Sequence, residues 1–389
     1  MKVAITTLGC DKNTCDSETL AGALKAQGYT FVARDDDADI IIVNTCAFIK
    51  SARDEALIVI KSKLKYNAKI VVTGCITVKH RDLIPDGVEI WEIGKHSDKK
   101  LLSTPQSYVY IKISDGCDNH CSYCTIPSIR GPYKARPEIE ILDEITHFAN
   151  LGVGEFILVA QDLTKYPGLV SLIQKISRVK GVQRIRLHYV YPAGITQGLV
   201  NEVITNPKVC KYLDIPFQHV SPRILKLMNR KPDNYMPLIK KLQSHGISIR
   251  STFMVGFPTE TDEDFEILCD FLKAARLDFV GFFKYSREAG TAAFALPQVS
   301  PKIKTSRLRI AQEIQSDILQ QIYKEIIGQI VKVVCDFNDP VLGYSVVRCE
   351  FLSPEVDPVI IVNKTLQVGK YYDIKIIGTQ KENLVGELV

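Results

Sequence analysis

Lys112-Ile-Ser-Asp-Gly-Cys117-Asp-Asn-His-Cys121-Ser-Tyr-Cys124-Thr-Ile-Pro127 packs three thiols into eight residues, directly after a strand-like run at 108–113. A C-x3-C-x2-C loop of this kind can grip three irons of a [4Fe–4S] cubane, whereas ordinary cubanes take four cysteines. The next cysteine in the chain is Cys210, so no fourth ligand lies nearby. One iron is then left open for a ligand that is not protein, as a catalytic metal site requires. The competing readings are a zinc site and three packed thiols. Zinc loops prefer cysteine pairs two to four apart, and a second pair is missing here.

Outward from this loop, strand-like runs alternate with helical ones: 108–113, 155–160, 183–188, 211–215, 248–255 and 278–285. Repeated βα units imply a parallel sheet, and six of them with loops at their carboxyl ends imply a partial (β/α)6 barrel. A long amphipathic helix at 306–327 follows, with Ile310, Ala311, Ile314, Ile318 and Ile322 on one face. Residues 328–389 change character. Short alternating strands at 330–335, 343–349, 358–362 and 371–377, separated by turn signals, suggest a small antiparallel, OB-like β-barrel.

Upstream, the first hundred residues read as an open parallel α/β domain. Strands are expected at 2–8, 39–43 and 69–73, and helices at 17–27 and 51–65. Each strand runs into a cysteine, Cys10, Cys46 and Cys75, spaced 36 and 29 residues apart. Ligands of open parallel sheets bind beyond the carboxyl ends of the strands. Three cysteines so placed converge on one edge, which suits a second cluster with an open iron. Cys15 breaks the pattern and reads as a spare thiol; Cys210, Cys269, Cys335 and Cys349 read as core. The polar stretch 94–107 reads as a linker, and the divisions fall at 1–103, 104–327 and 328–389.

Composition bounds the rest. With 46% hydrophobic and 24% charged residues, the chain has the make-up of a globular protein with ample core. No apolar run approaches the length of a membrane span. Met1-Lys-Val-Ala-Ile runs straight into a strand rather than a signal peptide, so a cytoplasmic protein with no membrane partner is expected. Eleven cysteines then read as metal ligands plus spares, because the cytosol keeps thiols reduced.

These pieces resemble the radical S-adenosylmethionine (SAM) methylthiotransferase family over essentially the whole chain. The matching segments include Leu8-Gly-Cys-Asp-Lys-Asn13, Asn44-Thr-Cys-Ala-Phe48, Gly74-Cys75, the 114–127 loop, Val159-Ala-Gln-Asp162, Pro216-Phe-Gln-His219 and Val255-Gly-Phe-Pro-Thr-Glu-Thr261. The resemblance implies an N-terminal cluster domain, a radical SAM barrel and a C-terminal TRAM barrel. It also implies two [4Fe–4S] clusters and two SAM. The cluster on Cys117, Cys121 and Cys124 would split SAM to a hydrogen-abstracting radical. The cluster on Cys10, Cys46 and Cys75 would supply sulfur, and a second SAM the methyl group. An unactivated C–H bond must be replaced, a step that no side-chain base can perform and a cofactor must carry.

An electron donor such as flavodoxin or ferredoxin and a sulfur source are implied partners. Tyr123 is expected against adenine or as packing. Gln161 and Asp162 are expected at the methionyl or ribose groups, or as a helix cap. Gly256 would allow close approach to a ligand, and Gln218 and His219 are pocket candidates. Thr259 stands where the family usually has glycine.

The family has two main destinations, a tRNA adenosine and, in the RimO branch, an aspartate of small-subunit ribosomal protein twelve. Lys12-Asn13, Lys112-Ile-Ser-Asp-Gly116 and Ser353-Pro-Glu-Val-Asp357 resemble the latter. Residues 328–389 carry six Lys/Arg against eight Asp/Glu, a balance expected to favour a basic protein over RNA. The alternative is tRNA modification by the same chemistry. A non-enzymatic iron–sulfur carrier would have fully ligated clusters.

Overall fold

The computed structural model describes residues 1–92 and 100–389. The N-terminal unit contains β1 (Lys2–Thr7), α1 (Asp11–Ala26), β2 (Thr30–Phe31), β3 (Ile40–Thr45), α2 (Lys50–Lys63), β4 (Lys69–Gly74), α3 (Ile76–Lys79) and β5 (Glu89–Ile90). Its sheet has the order β2-β1-β3-β4-β5, and every pairing is parallel. Every residue of β3 is buried, as its unbroken Ile40-Ile-Ile-Val43 run demands of a central strand covered on both faces.

Helix α1 starts at Asp11 rather than at the expected residue 17. Its first turns bury polar side chains, Asp11, Lys12, Asn13 and Asp16, between its own sheet and the next unit. An apolar stripe therefore does not mark its beginning. Residues 94–99 of the expected linker lie outside the described residues. The part that follows is pinned: Lys100 Nζ is buried against Glu144 at 2.6 Å, and Leu101 N–H donates to Glu18 O at 3.0 Å.

The central unit carries β6 (Tyr108–Lys112), β7 (Ser114–Asp115), α4 (Ile126–Arg130), β8 (Lys134–Ala135), α5 (Glu138–Asn150), β9 (Glu155–Val159), α6 (Leu169–Arg178), β10 (Arg184–Leu187) and α7 (Gln197–Thr205). It continues with β11 (Val209–Asp214), α8 (Pro222–Leu227), α9 (Met236–Ser244), β12 (Ser248–Val255), α10 (Asp262–Ala275), β13 (Phe279–Lys284) and α11 (Pro301–Ile326). The six long strands form one parallel sheet in the order β13-β12-β11-β10-β9-β6, which is the expected partial barrel. Helix α11 begins five residues before the expected start, with Ser300 Oγ accepting from Ile303 N–H as its N-cap.

Strands β14 (Ile330–Asp339), β15 (Tyr344–Cys349), β16 (Ile360–Val362), β17 (Tyr371–Gln380) and β18 (Asn383–Leu388) close a small barrel. It is antiparallel except where β16 and β18 pair in parallel. The small barrel seats on the partial barrel through buried charge. Glu155 accepts from Arg348 Nη1 at 2.8 Å and from Arg186 Nε at 2.8 Å. Arg250 Nη1 meets Asp357 Oδ1 at 2.5 Å, and the Tyr108 and Tyr110 hydroxyls donate to Glu355 at 3.0 and 3.1 Å.

This seating changes the meaning of the domain's charge. Asp336, Glu350, Glu355 and Asp357 all contact Arg348 or the partial barrel. Lys332, Lys364, Lys370, Lys375 and Lys381 are exposed, as are Glu355, Asp373, Glu382 and Glu387. The outward surface is thus close to neutral, and the net acidity of residues 328–389 does not separate a protein partner from RNA.

Candidate active site

Both cysteine triads line one cavity of about 350 Å³. The N-terminal triad arrives from adjacent parallel strands. Cys10 is the N-cap residue of α1, Cys46 directly follows β3, and Cys75 directly follows β4. Gly9 makes the convergence possible. Its φ is +99°, and a Cβ there would lie 2.7 Å from Cys46 Cβ, so no other residue brings the Cys10 turn so near. Asn13 ties the three ends together, donating from Nδ2 to Leu8 O at 2.7 Å and Thr45 O at 3.0 Å, with Cys75 Sγ 3.9 Å from its Oδ1.

Cys117, Cys121 and Cys124 come from the loop between β7 and α4. The loop is held both from outside and from within. Ser122 Oγ donates to Leu227 O at 2.7 Å, and Asn119 N–H points to Cys117 Sγ at 3.4 Å. All eleven cysteines are free thiols. Among the described residues no three His, Cys, Asp or Glu side chains stand close enough to share a single metal ion; each triad is spread around the cavity wall.

The donor chemistry fits two thiolate-bound clusters. Burial pushes the Cys46 thiol up to about 11 and Cys124 up to about 12, and raises Cys75 and Cys117 as well. Buried thiols of this kind ionise only against a compensating positive charge, which a metal supplies. Each triad also has one guanidinium at its edge. Arg130 Nη2 lies 3.5 Å from Cys75 Sγ, and Arg230 Nη1 lies 4.0 Å from Cys121 Sγ. Arg130 is fixed by Asp16 Oδ2 at 2.6 Å and Asn13 Oδ1 at 2.7 Å, so it locks the N-terminal unit to the partial barrel.

Tyr123, Gln161 and Gln218 also line the cavity. The Tyr123 ring meets Phe257 edge-on at 6.5 Å. Gln161 Nε2 donates to Asp115 Oδ1 at 3.0 Å, while its Oε1 is buried without a protein partner. Gln218, at φ +70°, leaves its Oε1 in the same condition. Buried amide oxygens with no donor are what a ligand would satisfy.

Asp162 and Gly256 are placed otherwise. Asp162 lies off the cavity wall as the N-cap of a short turn. Its Oδ1 accepts from Thr164 N–H and Oγ1 at 3.0 and 2.6 Å, and its Oδ2 from Asn119 Nδ2 at 2.6 Å. With both oxygens engaged, its part is to brace the cysteine loop through Asn119. A Cβ at Gly256 would meet Lys304 Cγ at 2.3 Å, so a side chain from α11 packs where that Cβ would lie.

His219 is buried, accepting from Ser221 N–H at 3.0 Å on Nδ1 with Nε2 3.6 Å from Glu260. Thr261 and Asp264 form the capping box of α10, and Glu260 pairs with Arg307 at 2.7 Å. Thr259 adopts φ +67°, the left-handed conformation that glycine would take without strain.

Arg130, Arg230, Tyr189 and Asp214 also reach the cavity and escaped sequence reading. Isolated charged or aromatic residues far apart in sequence leave no periodic trace. The one signal available for Tyr189 is its φ of +58°, unusual for a bulky residue and visible only in the folded chain.

Comparison with known proteins agrees with this layout. Residues 2–90 match the model described as "Uncharacterized protein family UPF0004", residues 111–272 the "Radical SAM superfamily", and residues 327–389 the "TRAM domain". A relative from Clostridium kluyveri, "Ribosomal protein uS12 methylthiotransferase RimO", is 38% identical over 99% of this chain and 98% of its own length. Relatives of the same name from Caldicellulosiruptor saccharolyticus and Symbiobacterium thermophilum are 37% and 33% identical over 100% of this chain and cover 100% and 91% of their own lengths. Among solved structures, the radical SAM methyltransferase TsrM from Kitasatospora setae superposes with a TM-score of 0.55 at 15% identity, covering 75% of this chain and 77% of its own, a likeness of fold alone.

Proposed function

Because the chain belongs to the radical SAM methylthiotransferases of the RimO type, we propose that it adds a methylthio group to the β-carbon of an aspartate in small-subunit ribosomal protein twelve. The reading includes two [4Fe–4S] clusters, one on Cys117, Cys121 and Cys124 and one on Cys10, Cys46 and Cys75. It also includes two molecules of SAM per product, a cytoplasmic setting, an electron donor such as flavodoxin or ferredoxin, and a source of replacement sulfur. The division into units at 1–103, 104–327 and 328–389 belongs to the same reading.

One observation carries it: all six cysteines line the same cavity. Sulfur transfer to a carbon radical needs the site that makes the radical and the site that holds the sulfur to face one substrate atom. When bound, the clusters and SAM supply the hydrogen-abstracting radical, the sulfur and the methyl group. The chain supplies position. Cys117, Cys121 and Cys124 offer three thiolates on one loop, and Asp162 and Asn119 keep that loop in shape. Tyr123 and the unsatisfied oxygens of Gln161 and Gln218 are suited to hold SAM beside it.

The test is direct. Reconstituted enzyme, SAM, a low-potential reductant and a sulfur source are incubated separately with ribosomal protein twelve and with unmodified tRNA, and both products are measured by mass spectrometry. The protein should gain the mass of a hydrogen replaced by SCH3 on one aspartate, with tRNA unchanged. Methylthioadenosine in tRNA beside an unmodified aspartate would replace this substrate with the alternative one.

A further inference from the structure

Among the described residues three cations line the cavity: Arg130, Arg230 and Lys12. The two arginines are committed. Arg130 serves Asp16, Asn13 and the Cys75 sulfur, and Arg230 donates to Pro216 O at 2.8 Å while lying over the Tyr191 ring and beside the Cys121 sulfur. Lys12 touches no cysteine sulfur. Its side chain is 9% exposed, its ammonium stands 3.2 Å from Asp11 Oδ1, and the same nitrogen lies 3.2 Å from the centroid of the Tyr189 ring.

An ammonium has three donors, and a buried one is stable only when they are used. Among the described residues Asp11 Oδ1 is the one acceptor close to this nitrogen, and the Tyr189 face satisfies it only as a π surface. Asp11 is itself heavily shared. Its Oδ1 also accepts from the Tyr189 hydroxyl at 3.1 Å, and its Oδ2 faces His188 Nδ1 at 3.1 Å. His188 Nε2 in turn lies 2.7 Å from Ser353 Oγ of the small barrel. Residues of all three units thus hold Asp11, the partner of Lys12, and the ammonium lies at the cavity wall.

We infer that Lys12 binds the carboxylate of the substrate side chain and so selects an aspartate, an inference that rests on the aspartate reading above. In aspartate the carboxylate is bonded directly to the carbon that must gain sulfur. A cation two residues from Cys10 that holds the carboxylate therefore fixes that carbon on the side of the N-terminal triad. A neutral amide of the same shape offers no charge to this site, and an adenine ring offers no carboxylate at all.

The test compares ribosomal protein twelve with a variant carrying asparagine at the modified position. Binding to the cluster-loaded, SAM-bound enzyme is measured by fluorescence anisotropy, and product by mass spectrometry. Wild-type enzyme should bind the aspartate form about tenfold or more tightly, the usual worth of a buried charge-assisted hydrogen bond. Lys12→Met should bring that ratio near one, and Lys12→Arg should keep most of it. Asp11 retains His188 and Tyr189 in either variant, so iron content should match wild type. If Lys12→Met nonetheless loses iron, the wild-type ratio and Lys12→Arg still decide. Equal wild-type binding of both proteins would overturn the inference, as would an undiminished ratio in Lys12→Met. Modification of tRNA instead of the ribosomal aspartate would overturn the substrate reading itself, an outcome seen in the wild-type enzyme without any variant.

Discussion

Arg130 reaches three partners at once, Asp16, Asn13 and the Cys75 sulfur, and a planar guanidinium is the side chain built to span them. Lysine keeps the charge but donates from a single point. Arg130→Lys should therefore release iron from the N-terminal triad to a chelator several times faster, with the barrel triad unaffected. Asp278 makes a second point about single residues. Burial pushes its carboxyl from the ordinary 3.8 up to about 6, against the Ile249 N–H that it accepts at 2.8 Å. A carboxyl whose folded pKa is raised holds its proton more tightly in the native state. Its contribution is complete below about pH 4 and is lost as pH rises toward 6. Asp278→Asn keeps an acceptor for Ile249 and cannot ionise. It should stabilise the protein by about 2 kcal/mol at pH 7.5 and scarcely at pH 4, read from urea midpoints at the two pH values.

Strands were the legible elements. All six long strands of the partial barrel and the three cysteine-bearing strands of the first sheet lie within a few residues of where their apolar runs place them. Burial on both faces leaves an unbroken hydrophobic signature. The convergence of the six cysteines on one cavity was legible too, because cysteine spacing and strand ends are local patterns. The start of α1 was not, since its first turns are buried by polar contacts to another unit. Strand β18 was also missed: Asn383-Leu-Val-Gly-Glu-Leu388 is short, carries a glycine, and pairs in parallel with β16. Nor could the sequence show that β15 and β9 share an ion cluster. Burial would raise Glu155, yet Arg348, Arg186 and Arg184 hold it at about 2, so its contribution is complete above pH 4.5 and lost only as pH falls toward 2. Glu155→Gln leaves Arg186 and Arg184 without a counter-charge and Arg348 with Asp336 alone, at a cost of about 3–5 kcal/mol. The small barrel should loosen first, with faster proteolysis near Gly328 at neutral pH. Unchanged resistance there would mean that this ion cluster does not hold the domain.

At the scale of the whole molecule, two units close around one cavity and the third braces them. The first sheet brings Cys10, Cys46 and Cys75 to its carboxyl edge, the partial barrel brings Cys117, Cys121 and Cys124, and the small barrel braces both through Ser353 and His188. A division of labour follows from that geometry. With Cys10, Cys46 and Cys75 replaced by alanine, reductive cleavage of SAM should persist while sulfur transfer ceases. With the other three replaced, cleavage should cease as well. Both expectations depend on each triad holding its own cubane. The most direct measurement is iron and acid-labile sulfide per chain after anaerobic reconstitution, in the intact protein and in each triple-alanine variant. Two cubanes predict about eight of each in the intact protein and about four in either variant. About four in the intact protein, all of it lost with one triad and none with the other, would contradict the two-cluster cavity.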